Sequence, residues 1–469
     1  MKVLLIYPDL SKESVVPKKL FNIEPLGLEY LAGTIPQQKV KILDMKMERN
    51  WEREIEEFQP EVVGISGKVI HCFRMLEVLK KVKEFNPKTL TMVGGPHATL
   101  VPADFNQPCV DVIVLGHRVN SFKQVIENFE KKESFDEIEG LALPKGGDKL
   151  FFTPKKNQIT SLDHLPLPRR DLTEKYRQEY FHLLWKPTAL LVTSAGCPYH
   201  CNFCPCLVLS EGRFLKRSPE LVLEELSLIK EEYIFAGDDN FFFDYQHALR
   251  LYHLIKDAKI KKKYYVFTGV NEINRHPDIV EKWAEIGLKK VLLGLESFRN
   301  KELEALNKKS TVEKNNQAIE ILHQNKIDPL GSFIIRPDYK KESFDALLKY
   351  MDKMKIYYYE FAILTPFPGT EFYDKVKDQL TLTDNRFFDL AHSVLPTELP
   401  LDEFYKLYLR LYRKALSPIR ALKIKPTNSP FAKFGFLRFT PKLFALFHSS
   451  KKAYKDLVKT KNSKFPLGN

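Results

Sequence analysis

Residues 197–204 read Cys-Pro-Tyr-His-Cys-Asn-Phe-Cys and set three thiols, Cys197, Cys201 and Cys204, into one short loop, while Cys72, Cys109 and Cys206 are scattered or adjacent. Thiols grouped this closely imply a bound metal. A structural zinc site closes with four nitrogen or sulfur ligands, so zinc here needs His200, Cys206 or a distant residue to complete it. An iron–sulfur cluster is the other natural user of grouped cysteine thiolates. With three ligands supplied, one iron of a four-iron cluster stays open to a small molecule, which makes the loop a catalytic feature.

Working outward, the loop follows the apolar run TALLVT (188–193), and five similar runs come after it: YIFAG (233–237), YYVFTG (264–269), KKVLLGLE (289–296), LGSFII (330–335) and EFAILT (360–365). Helical patterns such as PELVLEELSLIK (219–230) and NQAIEILHQ (316–324) separate them. Six strand–helix units predict a partial (β/α)6 TIM-type barrel over 188–375, with chemistry at the carboxyl ends of the strands. Thr193 precedes the cysteine loop, which places the thiols at that end.

The C-x3-C-x2-C spacing, with Phe203 just before the last cysteine, resembles the cluster loop of the radical S-adenosylmethionine (radical SAM) enzymes. The resemblance implies a 4Fe-4S cluster held by Cys197, Cys201 and Cys204, whose free iron chelates the amino and carboxylate groups of SAM beside Phe203. It assigns Gly237 and Asp238, in FAGDDN (235–240), to the SAM amino group. Glu296, in GLES, matches a position facing the methionyl or ribose portion. Ile334 falls in the fifth-strand segment beside adenine, where relatives often continue with glycine and this chain has Arg336. TPFPGT (365–370) matches the sixth-strand turn.

Before the barrel, apolar runs again alternate with helical patterns: KVLLIY (2–7), VKILDM (40–45), VVGIS (62–66), LTMVGG (90–95) and VDVIVLG (110–116). Buried strands without polar alternation predict a doubly wound parallel sheet over 1–135, which binds ligands outside the carboxyl ends of its strands. Small residues stand at those ends, as tight turns or as places where a backbone approaches a ligand. Together with the barrel, the domain resembles the cobalamin-binding domain fused to many radical SAM proteins. That resemblance assigns Ser66, Gly94, Gly95, Pro96 and Gly116 to cobalamin, the glycine pair accommodating its nucleotide tail. Two departures stand out: the D-x-H-x-x-G element with the cobalt-ligating histidine is absent, and residues 116–120 read GHRVN where relatives read G-E-G-E. His71, His97 and His117 lie near strand ends, where a lone histidine is ordinarily a hydrogen-bonding residue.

Residues 136–187, with the run LDHLPLPRRD (162–171), read as an ordered linker. The carboxyl-terminal region, 376–469, is expected to be helical and basic. Segment 380–415 resembles one found after the barrel in the subset that includes the hopanoid C-3 methylases, which act on a polycyclic membrane lipid. Asp389 and His392 there are expected to pack rather than line the substrate pocket. Beyond Tyr405, sixteen Lys/Arg stand against the single Asp456, so the tail carries the whole net charge of +13. Its aromatic and basic residues interleave as in segments that lie on an anionic membrane, with a basic helical cap or an RNA-binding segment as the other readings.

Composition fits two or three globular domains of 469 residues in all. Few cysteines, no signal-peptide pattern and no long apolar run give the expectation of a cytoplasmic protein, peripheral on the inner face of the membrane if the tail binds there. The resemblance implies a radical SAM enzyme that cleaves SAM to a 5′-deoxyadenosyl radical and, with cobalamin, methylates an unactivated carbon of a hopanoid or other lipid-like substrate. An electron donor such as flavodoxin or ferredoxin is implied, and nucleic acid is not. The alternatives are a non-methylating cyclase, oxidoreductase or carbon–carbon coupling enzyme, and a zinc-stabilised RNA-binding protein.

Overall fold

The computed structural model describes residues 1–415 except 12–13, 15–20, 117, 147–148, 155–158 and 184. The expectations placed on the tail beyond 415 and on His117 lie outside the described residues.

Strands Lys2–Tyr7 (β1), Lys39–Asp44 (β2), Val62–Ser66 (β3), Leu90–Gly94 (β4) and Val112–Val114 (β5) form a parallel sheet in the order β2-β1-β3-β4-β5. Both faces of β1 are covered, which explains its unbroken apolar run. Leu4 and Ile6 pack with Met75 and Val78 of helix Cys72–Phe85, whereas Val3 and Leu5 pack with Leu28 and Phe122 of helices Leu26–Gly33 and Val119–Lys131. The strand order reverses between β1 and β3, and a ligand crevice opens at such a switch point. Leu141–Pro144 (β6) and Leu150–Phe152 (β7) then extend the sheet antiparallel. The sheet therefore runs past the expected boundary at 135 and takes in part of the segment read as linker. These strands are too short to carry a pattern.

The barrel comprises Thr188–Leu191 (β8), Tyr233–Ala236 (β9), Lys263–Thr268 (β10), Leu288–Glu296 (β11), Asp328–Ile335 (β12) and Tyr358–Ile363 (β13), all parallel and in sequence order. Alternate residues face in and out. Val266, Leu293, Phe333 and Phe361 join the outer core under the helices, while Phe235, Tyr265, Leu330 and Tyr358 plug the amino-terminal end of the interior.

The segment after the barrel covers the open edge of β13, an edge that would otherwise offer unpaired backbone groups. The amide of Ile363 donates to the Leu390 carbonyl, and the hydroxyls of Tyr408 and Tyr412, from helix Leu401–Ala415, donate to the Phe361 carbonyl at 2.9 and 3.0 Å. Asp389 accepts from the backbone amides of Ala391 and His392 and pairs with the His392 ring at 2.9 Å, all buried, which is the expected packing role.

The true linker holds sheet and barrel together through buried charge. Arg170 reaches Glu24 at 2.7 Å, Glu225 at 2.5 Å and the carbonyl of Leu190 in β8 at 2.7 Å. Arg177 pairs with Glu24 and, at 3.2 Å, with Glu231. Arg217 pairs with Glu225, which also accepts from the Tyr30 hydroxyl at 2.8 Å.

Candidate active site

The cysteine loop leaves β8 braced by Asp238, at the end of β9. Its carboxylate accepts from the Thr193 amide at 2.8 Å, the Thr193 hydroxyl at 2.5 Å and the Ser194 hydroxyl at 2.6 Å. Burial pushes this carboxyl up to about 6 while those donors pull it down. Asp238 is fully buried, so it positions the loop; the exposed neighbour Asp239, which accepts from the Gly196 amide at 2.7 Å, is the carboxylate facing outward. The Asp238 oxygens, expected at the SAM amino group, are engaged here by Thr193 and Ser194.

The loop is tied at its far side as well. The Tyr199 hydroxyl donates to buried Glu272 at 2.7 Å, Asn202 donates to the Ala305 carbonyl at 2.8 Å, and Asn307 donates to the His200 carbonyl at 2.6 Å. Burial pushes the thiols of Cys197 and Cys201 up, the latter to about 11, whereas a hydrogen bond from Cys206 holds Cys204 down. Among the described residues, Cys197, Cys201 and Cys204 do not converge as closely as the ligands of a single ion would; the trio that does is Cys72, His97 and Asp104, in the first domain. Spread thiols suit a cluster, whose ligands bind different irons, better than zinc. Phe203 packs with Leu306, Ile334 and Leu364, so two residues expected beside SAM meet in one apolar patch.

Glu296 ends β11 just after a bulge, with φ 58°, a backbone conformation that costs a residue with a side chain about 1–3 kcal/mol. Its carboxylate pairs with Lys308 at 2.9 Å. A side chain on Gly294 would stand 2.5 Å from that carboxylate and 2.8 Å from the ammonium, so glycine there makes room for the pair. Burial works against the charge of Lys308, but Glu296 and the thiols of Cys201 and Cys204 raise its pKa overall. Lys308 was not singled out in the sequence, where it sits in the charged run NKKS (307–310).

In the first domain a cavity of about 170 Å³ opens at the carboxyl ends of β3 to β5, lined among others by Ser66, Gly94, Gly95, Gly116 and Arg118. Gly95 has φ 92°, and a Cβ there would lie 2.5 Å from the Ser66 hydroxyl oxygen, so the cavity depends on its glycine. Pro96 opens the following short helix, Pro96–Leu100, and does not line the cavity. Arg118, one of the departures from the expected pattern, lines the wall and pairs with Glu139 at 3.3 Å. His71 accepts from the Lys68 amide at 3.1 Å, and buried His97 pairs with Asp104 at 2.8 Å.

Residues 191–369 match the radical SAM superfamily and residues 15–126 the B12 binding domain. The chain is 30% identical over 414 residues to the hopanoid C-3 methylase of Methylococcus capsulatus, covering 86% of this chain and 78% of that protein. The chain belongs to the radical SAM superfamily. A second relative, an uncharacterized methyltransferase of Pyrococcus horikoshii, is 30% identical over 401 residues, covering 82% of this chain and 85% of that one. The structure of the cobalamin-dependent radical SAM enzyme OxsB, with aqua-cobalamin and SAM bound, superposes with a TM-score of 0.71 at 15% identity, covering 100% of this chain and 76% of that one. This radical SAM enzyme thus takes a 4Fe-4S cluster, SAM and cobalamin, and the spread thiols and glycine-built cavity fit them. No helix among the described residues is long and apolar enough to cross a membrane.

Proposed function

We propose that this radical SAM enzyme catalyses cobalamin-dependent C-methylation of an unactivated carbon in a hopanoid or other polycyclic, lipid-like substrate. The observation that carries the reading is the barrel interior above its aromatic plug, where Leu190, Phe267, Leu292 and Ala362 are only half-buried and offer an accessible apolar wall. Similarity to a hopanoid methylase over most of its length supports the substrate class.

Cys197, Cys201 and Cys204 hold the cluster, with Asp238 and Tyr199 fixing the loop that presents them. Lys308 and Asp239 are the charges suited to the carboxylate and ammonium of SAM, and Phe203 with Ile334 supplies an apolar face for its adenine. Ser66, Gly94, Gly95 and Gly116 hold the nucleotide tail of cobalamin. When bound, these cofactors supply one-electron cleavage of SAM, hydrogen abstraction and a methyl group, while the protein supplies orientation and water exclusion. The electron comes from a small donor of the flavodoxin or ferredoxin class, and the basic aromatic tail suits contact with an anionic membrane surface.

The test is anaerobic reconstitution followed by product analysis with a pentacyclic triterpene. About four irons and one cobalamin per chain, with a product heavier by one CH2 unit, are expected. Iron and SAM cleavage without methyl gain would sink methylation and favour a cyclase or oxidoreductase. Cys197→Ala, Cys201→Ala or Cys204→Ala is expected to abolish iron binding and SAM cleavage together.

A further inference from the structure

The apolar barrel interior holds a carboxylate, that of Glu360, which the proposed chemistry leaves unused. Tyr358, Glu360 and Ala362 share one face of β13; Tyr358 belongs to the interior plug, while Phe361 and Ile363 point into the outer core. Glu360 therefore points into the barrel, one layer above the plug. Beside it on β12 stands Ser332, paired in register with Glu360 on one side and with Gly294 of β11 on the other.

Neither carboxylate nor hydroxyl makes a hydrogen bond or ion pair with any described residue, and Glu360 is exposed within this interior, so the layer is open to an entering molecule. A charge in an apolar cavity without a protein partner is destabilising unless a ligand uses it. Burial pushes the Glu360 carboxyl up, Lys68 pulls it down and Glu296 pushes it further up. Lys68 follows β3 in the cobalamin-binding domain, and its own ammonium is weakened by burial and sustained by Glu360. The two charges act on each other from different domains without forming an ion pair.

This arrangement selects among polar groups. An ammonium on the substrate would be attracted by Glu360 but repelled by Lys68, and a carboxylate or phosphate would meet the reverse. A neutral donor avoids both penalties. We infer that Glu360, assisted by Ser332, is the specificity-determining anchor of the substrate cavity and accepts a hydrogen bond from a hydroxyl on an otherwise apolar substrate. The inference rests on the proposed function, and it adds to it a requirement for one hydroxyl.

The test compares two pentacyclic triterpenes identical except for one hydroxyl, using wild-type holoenzyme, Glu360→Leu and Glu360→Gln. Iron, cobalamin and substrate-free SAM cleavage are measured first and are expected to match in all three proteins; their failure in the wild type would be the failure of the proposed function instead. Binding of the pair is then read by mass spectrometry after gel filtration, and turnover by the KM and kcat of SAM cleavage. A hydrogen bond to a charged acceptor predicts a wild-type preference for the hydroxylated compound of about 10-fold or more. Glu360→Leu should erase that preference through KM, with kcat largely kept, and Glu360→Gln should retain part of it. Equal binding of the two compounds by the wild type, or an undiminished preference in Glu360→Leu, overturns the inference.

Discussion

The interface between the cobalamin-binding sheet and the barrel has two unlike sides. On the linker side, Arg170 and Arg177 each meet buried Glu24 from the first domain, and Arg170 and Arg217 share buried Glu225 of the barrel. On the cofactor side, Lys68 and Glu360 act on one another's charge but form no ion pair. Charges inside proteins are tolerated when paired, and breaking such a pair strands its partner. The paired side thus fixes how the domains meet, and the unpaired side keeps its charges available for ligands.

Arg170→Met is the strongest way to break this contrast. It leaves Glu24 and Glu225 each short of a cation in a buried setting, and a loss of about 3–5 kcal/mol is expected, measured as a fall in the urea midpoint reported from both domains. A loss below about 1 kcal/mol, the range of exposed pairs, would show that the network does not hold the domains. Gly95→Ala acts on the cofactor side. The added methyl must fit 2.5 Å from the Ser66 hydroxyl oxygen at φ 92°, so cobalamin content should fall about tenfold or more, for a cost of at least ~1.4 kcal/mol, with iron content unchanged. Retained cobalamin would remove this cavity as the cofactor's seat.

Much of this arrangement was legible in the chain. The six barrel strands appear where their apolar runs predicted, because each is flanked by a periodic helix, and the cysteine loop falls at the carboxyl end of the first. Ser66, Gly94, Gly95 and Gly116 do line one cavity. What the sequence hid depends on distant partners. Asp238 and Asp239 are adjacent acids, and only the fold shows that Thr193 and Ser194 engage the first. Lys308 looks like any lysine in a charged run until it meets Glu296. Glu360 reads as the start of an apolar strand, and its value lies in facing inward, which depends on the register of β13 against β12. The Arg170 network links residues that are far apart in sequence.

The smallest expected effect is also the finest probe of the two-sided interface. Burial raises the Glu360 carboxyl above its unfolded value, so the folded protein holds this proton more tightly than the unfolded chain does. Below the unfolded pKa of ~4.3 both states are protonated and the group has no effect on stability; as pH rises from there through the folded pKa, the unfolded state ionises first and stability is lost. Glu360→Gln cannot ionise and escapes that loss. The variant should therefore gain on the wild type between pH 4 and 7, by less than ~1 kcal/mol because cavity water screens an exposed carboxylate. Urea midpoints of both proteins at several pH values measure the difference directly, with other carboxyls cancelling between them. A difference of the opposite sign, with the wild type gaining as pH rises, would mean that Lys68 stabilises the ionised carboxylate as a true ion pair. In that case the cofactor side would be paired like the linker side, and Glu360 would not be held free for a substrate hydroxyl.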